Sequence, residues 1–255
     1  MRILLTNDDG IFAPTMHYLY SELSRFAEVV VVAPHKGKSG SSHSLTLSPI
    51  VCEKATVDGL FTGYAVAANP ADCVKLAVLE LVNKPLDLIV SGLNIGSNAG
   101  VDICYSGTVA AAMEGAFYGI PSVAVSARAS GEQNYKKAAS VAAELINTIR
   151  HNIDAGEVIN INIPVITDQS PKGIKVVRQS ESIYQEYYAK KKNEDNKDTY
   201  QIRCSYFRET DKETDVHALA EGYVTLTPLK YNRTDKKILE KFKSMDQRKL
   251  WPQKK

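Results

Sequence analysis

Two adjacent carboxylates follow the first apolar segment of the chain. Asp8 and Asp9 come directly after residues 3–6 (ILLT), which are typical of a short strand, and Gly10 permits a turn behind them. Neighbouring strand residues point to opposite faces, so the two acids converge only if the strand ends before them. A divalent cation with oxygen ligands is then their simplest partner. Helix capping or a turn is the alternative role for the pair.

Two later loops carry further oxygen donors. Residues 36–44 (KGKSGSSHS) follow a second strand, and residues 91–100 (SGLNIGSNAG) follow another. Loops that follow parallel strands gather at the carboxyl edge of the sheet, where ligands bind at the point at which strand order reverses. Ser39 and Asn94 are therefore candidates to complete an oxygen shell around the acids. Such a shell favours Mg²⁺ or Mn²⁺ over zinc.

The start of an Ala-rich helix is the third feature with chemical potential. Ser106, Gly107 and Thr108 open this helix. Free backbone N–H groups and the positive end of the helix dipole make such a start suitable for phosphate. Plain N-capping by Ser106 or Thr108 is the alternative interpretation.

The order of apolar segments predicts an α/β protein. Beyond residues 3–6, strands are expected at residues 28–33, 86–90, 122–126 and 158–163, and helices at residues 15–25, 71–82, 108–118 and 138–150. Alternation of this kind predicts a doubly wound, mostly parallel sheet with a Rossmann-like core. No G-x-G-x-x-G follows the first strand, so a dinucleotide site is not indicated.

The pattern changes after residue 164. Strands are expected at residues 175–178, 200–206 and 223–227, and the polar stretch 184–199 is expected to be a mobile loop or a protruding hairpin. A helix from Thr234 has one apolar face and precedes a basic tail. Packing on its own or a neighbouring subunit is favoured there over a nucleic-acid arm. We divide the single domain into a catalytic core, residues 1–170, and residues 171–255, which hold the remaining strands and an oligomerisation segment.

Composition sets limits on the class of protein. The chain has 255 residues, of which 44% are hydrophobic and 24% charged, and its net charge is +2, so nucleic acid is not an expected partner. Its four cysteines form no CxxC pair, which favours free thiols in a reducing cytosol. No apolar run is long enough to span a bilayer, and the residues before Asn7 are too few for a secretory signal. We therefore expect a cytoplasmic protein without a membrane partner.

Four motifs together resemble the SurE family of survival-protein nucleotidases. They are residues 3–10 (ILLTNDDG), 39–46 (SGSSHSLT), 91–100 (SGLNIGSNAG) and 105–115 (YSGTVAAAMEG), and residues 69–74 (NPADCV) match a further family segment. The resemblance covers at least residues 1–130. The family usually has Gly-Thr before Pro70, whereas this chain has Ala68 and Asn69.

The resemblance implies a phosphoric monoester hydrolase, a 5′-nucleotidase that cleaves nucleoside 5′- and 3′-monophosphates with one divalent ion, Mg²⁺ or Mn²⁺. The metal ligands that it implies are Asp8, Asp9, Ser39 and Asn94. The phosphate contacts that it implies are Asn98, Ser106, Gly107 and Thr108. It also implies a homodimer or homotetramer built by a hairpin and an exchanged C-terminal segment, with residues 184–199 and the helix from Thr234 as the loose counterparts.

Metal-assisted hydrolysis of a phosphomonoester is thus the first functional hypothesis. In it, Asp8 binds the cation and orients or deprotonates the attacking water, and Asp9 holds the cation. An aspartyl-phosphate intermediate lacks the supporting D-x-D pattern. A phosphorylated receiver domain is the second hypothesis, but the middle strand ends in residues 90–92 (VSG), without a phosphoacceptor Asp. A third hypothesis changes the substrate to short polyphosphate or another phosphomonoester.

Overall fold

Eleven strands and six α-helices make up the described part of the chain. The structure is a computed structural model that describes residues 1–128, 131–165, 170–193, 195–204 and 209–245. The strands are β1 (Arg2–Thr6), β2 (Glu28–Pro34), β3 (Cys52–Val57), β4 (Phe61–Val66), β5 (Leu88–Ile95), β6 (Ser122–Ala127), β7 (Val158–Ile163), β8 (Ile174–Val176), β9 (Glu186–Lys192), β10 (Asp198–Cys204) and β11 (Val224–Leu229). The helices are α1 (Pro14–Leu23), α2 (Pro70–Leu76), α3 (Gly107–Phe117), α4 (Glu132–Ile149), α5 (Asp215–Ala220) and α6 (Lys236–Lys243).

Nine of these strands form one sheet, in the order β3-β4-β2-β1-β5-β6-β7-β11-β8. All neighbours from β4 to β7 are parallel, whereas β3 is antiparallel to β4 and β11 is antiparallel to β7. The chain proceeds from β1 to β2 on one side and continues with β5 on the other side of β1. The switch point of the sheet therefore lies between β1 and β5, which is where such folds bind ligands. The predicted doubly wound, mostly parallel sheet is confirmed.

Helices cover both faces of the sheet. Ile3 and Leu5 of β1 belong to the core beneath α1 and α4, whereas Leu4 belongs to the core beneath α2 and α3. This alternation follows from the period of two along a strand. Because β1 is buried on both faces, its carboxyl end is a rigid support for the residues that follow it.

Most predicted elements are found with small shifts at their ends, and three differ more. The helix expected over residues 138–150 begins six residues earlier, as α4 at Glu132. The helix expected over residues 71–82 divides into α2 and a π-helical turn, Ala77–Leu81. The strand expected to end at residue 90 continues to Ile95 as β5, so Asn94 lies in the strand and not in a loop behind it. Gly92 permits this continuation, because a Cβ there would lie 2.4 Å from the carbonyl oxygen of Val125.

Three elements are not predicted by the sequence patterns. They are helix α5 and the two strands of a hairpin, β3 and β4. The hairpin turn contains Asp58 and Gly59, both with positive φ. An Asp-Gly pair between strands is a strong hairpin signal that could have identified it. Short α5 gave no comparable signal.

The C-terminal part contains a separate hairpin and an exposed helix. Within the polar stretch 184–199, the hairpin alternative is found, since β9 pairs with β10 in antiparallel register. Both strands and the apolar face of α6 are exposed. Residues 205–206, at the end of an expected strand, and the basic tail 246–255 lie outside the described residues.

Two expectations for the chain as a whole can be compared with the structure. Cys52, Cys73, Cys104 and Cys204 are all free thiols, as expected. Within the described ranges, no helix is both long and apolar enough to cross a membrane.

Candidate active site

A tight turn follows β1 and carries the two acids. The Asn7 side chain closes this turn, since Oδ1 accepts the N–H of Gly10 at 3.0 Å and Nδ2 donates to the Gly10 carbonyl oxygen at 2.9 Å. Gly10 has a φ of +102°, and a Cβ there would lie 3.3 Å from the backbone of residues 36–37. Glycine is therefore required where the loop behind β2 crosses the turn. The strand ends before Asp8 and Asp9, as their convergence requires.

The Asp8 carboxylate is bound by the N-terminus of α3. Thr108 Oγ1 donates to Asp8 Oδ1 at 2.5 Å, and both side chains are buried. The Asp8 carbonyl oxygen accepts the N–H of Lys38 at 2.7 Å. An acid at a helix N-terminus is stabilised by the helix dipole. The sequence indicated Thr108 as a phosphate contact or a helix cap, and its bond to Asp8 is visible only in the fold.

Gly107 marks the closest approach of α3 to Asp8. A Cβ at this position would lie 2.6 Å from Ser41 Oγ, 3.0 Å from Asp8 Cβ and 3.1 Å from Pro70 Cγ. Any side chain there would push these neighbours apart in a densely packed region. The glycine therefore lets α3, the start of α2 and the loop behind β2 meet at one point.

Asp9 faces the end of β5. Its Oδ2 accepts the N–H of Ile95 at 3.3 Å. The neighbouring Asn94 donates from Nδ2 to the carbonyl oxygen of Gly96 at 3.0 Å. Among the described residues, Asn94 Oδ1 has no hydrogen-bond donor, so this oxygen remains available to a ligand. The end of β5 is held to the turn behind β1 by the bond from Ile95 to Asp9.

Asp8 is buried and Asp9 is half-buried, and neither has a basic partner among the described residues. Burial raises the pKa of Asp8, although hydrogen bonds from Thr108 oppose this effect. Burial, together with the charge of Asp8, raises the pKa of Asp9 to about 6. Neither acid takes part in an ion pair within the described ranges. A bound cation would offset both burial and mutual repulsion, so the pair fits a divalent metal ion.

The chemistry of the available donors also fits a hard cation. Two carboxylates, the hydroxyl of Ser39 and the amide oxygen of Asn94 make an oxygen-only set. In the part of the chain that the structure describes, His, Cys, Asp and Glu form no cluster of three or more that could hold a metal ion. The set is therefore unlike the imidazole and thiolate sites that zinc prefers.

Ser39 is exposed, and the loop that carries it is anchored on both sides of it. Lys38 precedes it and is bonded to Asp8, and Ser42 donates its N–H to the carbonyl oxygen of Tyr105 at 3.0 Å. Farther along, the N–H of Thr46 donates to the Asp72 carboxylate at 3.0 Å. The loop is thereby held between Asp8 and α2.

A charged network also fastens this loop to α3. Glu114 is buried, accepts a hydrogen bond from His43 Nε2 at 2.8 Å and forms an ion pair with Lys75, whose Nζ lies 2.6 Å from Oε1. Burial alone would raise the pKa of Glu114, but the hydrogen bonds from His43 and Lys75 outweigh it and lower the pKa. The network joins α2, α3 and the loop behind β2. The sequence motifs contained these residues without indicating that they meet.

Ser106 acts as the N-cap of α3. Its Oγ accepts the N–H of Val109 at 3.1 Å, so the capping interpretation holds for this residue. Capping uses the hydroxyl oxygen as an acceptor and leaves the hydroxyl proton to be donated elsewhere. The capping role is therefore compatible with a contact to phosphate.

A network of buried amides fixes Asn98. Its N–H donates to Asn162 Oδ1 at 2.8 Å, and its Nδ2 donates to Ser126 Oγ at 2.8 Å. Its carbonyl oxygen accepts from Nδ2 of Asn160 at 2.8 Å and of Asn162 at 3.0 Å. The partners lie on β6 and β7 and are fully buried. Asparagines at alternate positions of an apolar strand (VININI) were a signal for such a network, which sequence reasoning did not use.

Replacing Asn162 by Ala should damage both stability and activity. The Asn98 N–H would lose its acceptor in a buried position, which we expect to lower the free energy of unfolding by about 2 kcal/mol. Urea denaturation measures this loss. Asn152→Ala, which alters an exposed asparagine, is the matched control and should leave stability unchanged. Equal stabilities of the two variants would contradict a structural role for the network.

Asp215, in the C-terminal part of the chain, also holds the segment between β5 and α3. This buried carboxylate accepts the N–H of Gly100 and of Ser180, each at 2.9 Å. Gln179 donates to the carbonyl oxygen of Gly100 at 2.8 Å. The segment between β5 and α3 is therefore tied to residues far away in sequence, which is why the sequence did not reveal Asp215.

Fold and site together define an α/β protein with an acidic oxygen-donor site at the switch point of a parallel sheet, beside a helix N-terminus. A family model described as Survival protein SurE matches residues 3–186. A relative named 5′-nucleotidase SurE from Rhodopirellula baltica is 43% identical, over 97% of this chain and 100% of its own length. Another of that name, from Desulfitobacterium hafniense, is 42% identical over 92% of this chain and 93% of its own.

A solved structure shows the same fold. The structure of the SurE protein from Aquifex aeolicus superposes with a TM-score of 0.81 at 37% sequence identity, and the match covers 95% of this chain and 98% of that one. The chain belongs to the SurE family. The resemblance inferred from the sequence motifs is confirmed.

Proposed function

We propose that this chain is a metal-dependent nucleotidase that hydrolyses nucleoside 5′-monophosphates, and also 3′-monophosphates, to nucleoside and phosphate. The observation that carries the proposal is the pair of buried Asp8 and half-buried Asp9, which repel each other beside the N-terminus of α3. The relatives named 5′-nucleotidase SurE match nearly the whole chain, which supports the same activity here.

The proposed cation ligands are Asp8, Asp9, Ser39 and Asn94, and Mg²⁺ or Mn²⁺ is the proposed ion. A cation held there supplies Lewis-acid polarisation of the phosphoryl oxygen and a more acidic water. The raised pKa of Asp9 and the oxygen-only donors support this assignment.

Asp8 is the proposed base of the reaction. One of its oxygens is fixed by Thr108, which sets the orientation of the carboxylate and leaves the other oxygen for the attacking water. The proposed phosphate contacts are Asn98, Ser106, Gly107 and Thr108. Donors at a helix N-terminus would stabilise the charge that develops on the phosphoryl oxygens. The Ser106 hydroxyl proton and the fixed position of Asn98 support their roles.

A homodimer or homotetramer is the proposed assembly. The apolar face of α6 (Ile238, Leu239 and Phe242) is exposed, and so are Tyr187 and Tyr188 of the β9–β10 hairpin. Exposed apolar faces of this extent are typical of surfaces that a neighbouring subunit covers.

Hydrolysis of AMP tests the proposal directly. The purified protein should release phosphate from AMP when Mn²⁺ or Mg²⁺ is added, and an excess of EDTA should abolish the release. A panel of 5′-nucleotides, 3′-nucleotides and short polyphosphate, each with both ions, ranks the substrates. Phosphate release that continues unchanged in EDTA would contradict a metal-dependent mechanism.

A further inference from the structure

Three exposed apolar side chains lie close in sequence to residues of the proposed site, and the proposed chemistry gives them no role. Phe12, Ile95 and Tyr105 are 49%, 53% and 59% exposed. Each is a near neighbour in sequence of a site residue, since Ile95 follows Asn94 and Tyr105 precedes Ser106. Single exposed apolar residues are ordinary, but one whose backbone is held against a polar site is a candidate to contact a ligand there.

Ile95 and Tyr105 stand at the two ends of the connection between β5 and α3. The N–H of Ile95 donates to Asp9 Oδ2 at 3.3 Å, so this end is fixed beside the acids. The carbonyl oxygen of Tyr105 accepts the N–H of Ser42 at 3.0 Å, so the other end is fixed to the loop of Ser39. Both side chains thus project from backbone that the site itself holds in place.

Tyr105 combines a fixed backbone with an uncommitted ring. Its N–H donates to the carbonyl oxygen of Asp102 at 3.0 Å, so both of its main-chain polar groups are bonded. Within the described ranges, its ring has no aromatic or cation–π contact and its hydroxyl has no hydrogen-bond partner. A positioned aromatic ring with a free face is the usual platform on which a nucleobase stacks.

We propose that Tyr105 forms the subsite for the base of the nucleotide substrate. This inference rests on the proposed nucleotidase function. A phosphate bound at Ser106 and Gly107 would leave the nucleoside to extend outward, and Tyr105 is the residue next to that position. Stacking accepts any base, because every base has a π-face, so the subsite distinguishes nucleotides from simple sugar phosphates.

A second group of exposed aromatic residues is the alternative location for the base of the substrate. Phe117 and Tyr231 line a pocket with Lys230 and Arg233. The aromatic rings of this pocket already contact other rings. Phe117 stacks on His43 with centroids 5.1 Å apart and meets Tyr231 edge-on at 5.0 Å. Phe117 also lies nine residues beyond Thr108 on α3, a rise of roughly 14 Å from the phosphate end. The location at Tyr105 is therefore favoured.

Steady-state kinetics with two substrates tests the subsite. The Mn²⁺-loaded enzyme is assayed with AMP and with ribose 5-phosphate, which has the same phosphate and sugar but no base. For Tyr105→Ala we expect KM for AMP to rise about tenfold, with KM for ribose 5-phosphate unchanged. Tyr105→Leu should behave in the same way, and Tyr105→Phe should retain the wild-type KM because it keeps the ring.

Tyr231→Ala is the matched control, since Tyr231 is 52% exposed, and it should leave both KM values unchanged. An unchanged KM for AMP in both Tyr105→Ala and Tyr105→Leu, an equal loss for both substrates, or a larger effect of Tyr231→Ala would each overturn the subsite. If the wild-type enzyme hydrolysed neither AMP nor ribose 5-phosphate, the proposed function itself would be refuted. The failure of the subsite and the failure of the function are therefore distinguishable.

Discussion

Asp8→Asn should reduce phosphate release from AMP by roughly a thousandfold or more, with the fold intact. The substitution keeps the size of the side chain and an oxygen that can still accept from Thr108 Oγ1. It removes the negative charge that binds the cation and the basicity that activates water. Initial rates at saturating Mn²⁺ and AMP, together with circular dichroism of the variant, measure the loss.

Asp154→Asn is the matched control for this experiment. Asp154 is exposed and precedes β7, at the edge of the sheet opposite the site. Its variant should retain the wild-type rate. A rate for Asp8→Asn within a few-fold of the wild type would refute the role of Asp8 and, with it, the proposed mechanism.

Asp9→Asn should have opposite effects on stability without and with metal. Without metal, the variant should unfold at a higher temperature than the wild type at pH 7.5, because it lacks a buried charge next to Asp8. We expect a gain of about 2 kcal/mol, allowing for partial solvent screening. With Mn²⁺ near 100 times its Kd, the wild type should gain about 2.7 kcal/mol, and the variant should gain little.

The stability of the metal-free protein should also depend on pH because of the Asp9 carboxyl group. Its pKa is 3.8 in ordinary surroundings and about 6 in the folded chain. Between these values the folded state binds more protons than the unfolded state, so the free energy of unfolding falls as pH rises. The contribution of Asp9 is neutral below pH 3.8 and fully destabilising above pH 6. Asp9→Asn should remove this part of the pH dependence.

Thermal denaturation from pH 4 to pH 8, with EDTA or with Mn²⁺, measures both effects. Asp154→Asn again serves as the control, because it removes an exposed charge and should follow the wild-type curve. A metal-free Asp9→Asn protein that is less stable than the wild type at pH 7.5 would show that the two acids do not repel each other. The cation-binding interpretation of the pair would then lose its physical basis.

Much of the architecture could be predicted because the central strands are buried on both faces. A continuous apolar run such as residues 29–33 of β2 leaves few alternatives to a strand, and the intervening helices carry the period of 3.6. Strand β5 continues five residues past its expected end, since the expectation stops where Ser91, Gly92 and Asn94 interrupt the apolar run that predicts a strand. Local composition identifies apolar cores more reliably than polar strand ends.

The individual site residues could be named because their motifs are continuous in sequence, whereas their supports are not. Thr108 lies 100 residues from its partner Asp8, and Asn162 lies 64 residues from Asn98. Nothing in the local pattern of a buried asparagine shows which backbone group it will bond. The roles of the site residues in binding metal and phosphate remain predictions.

The sequence by itself determined the layered α/β fold, the family and the acidic pair at the end of β1. These depend on local properties, namely hydrophobic period, glycine at turns and the order of motifs. Tertiary structure decided which groups hold that pair, namely α3 through Thr108 and β5 through Ile95. It also decided which groups fix Asn98, namely Ser126 of β6 and Asn162 of β7. Hydrogen bonds act over about 3 Å and only the folded chain sets which distant groups come that close, so these contacts had to be read from the structure.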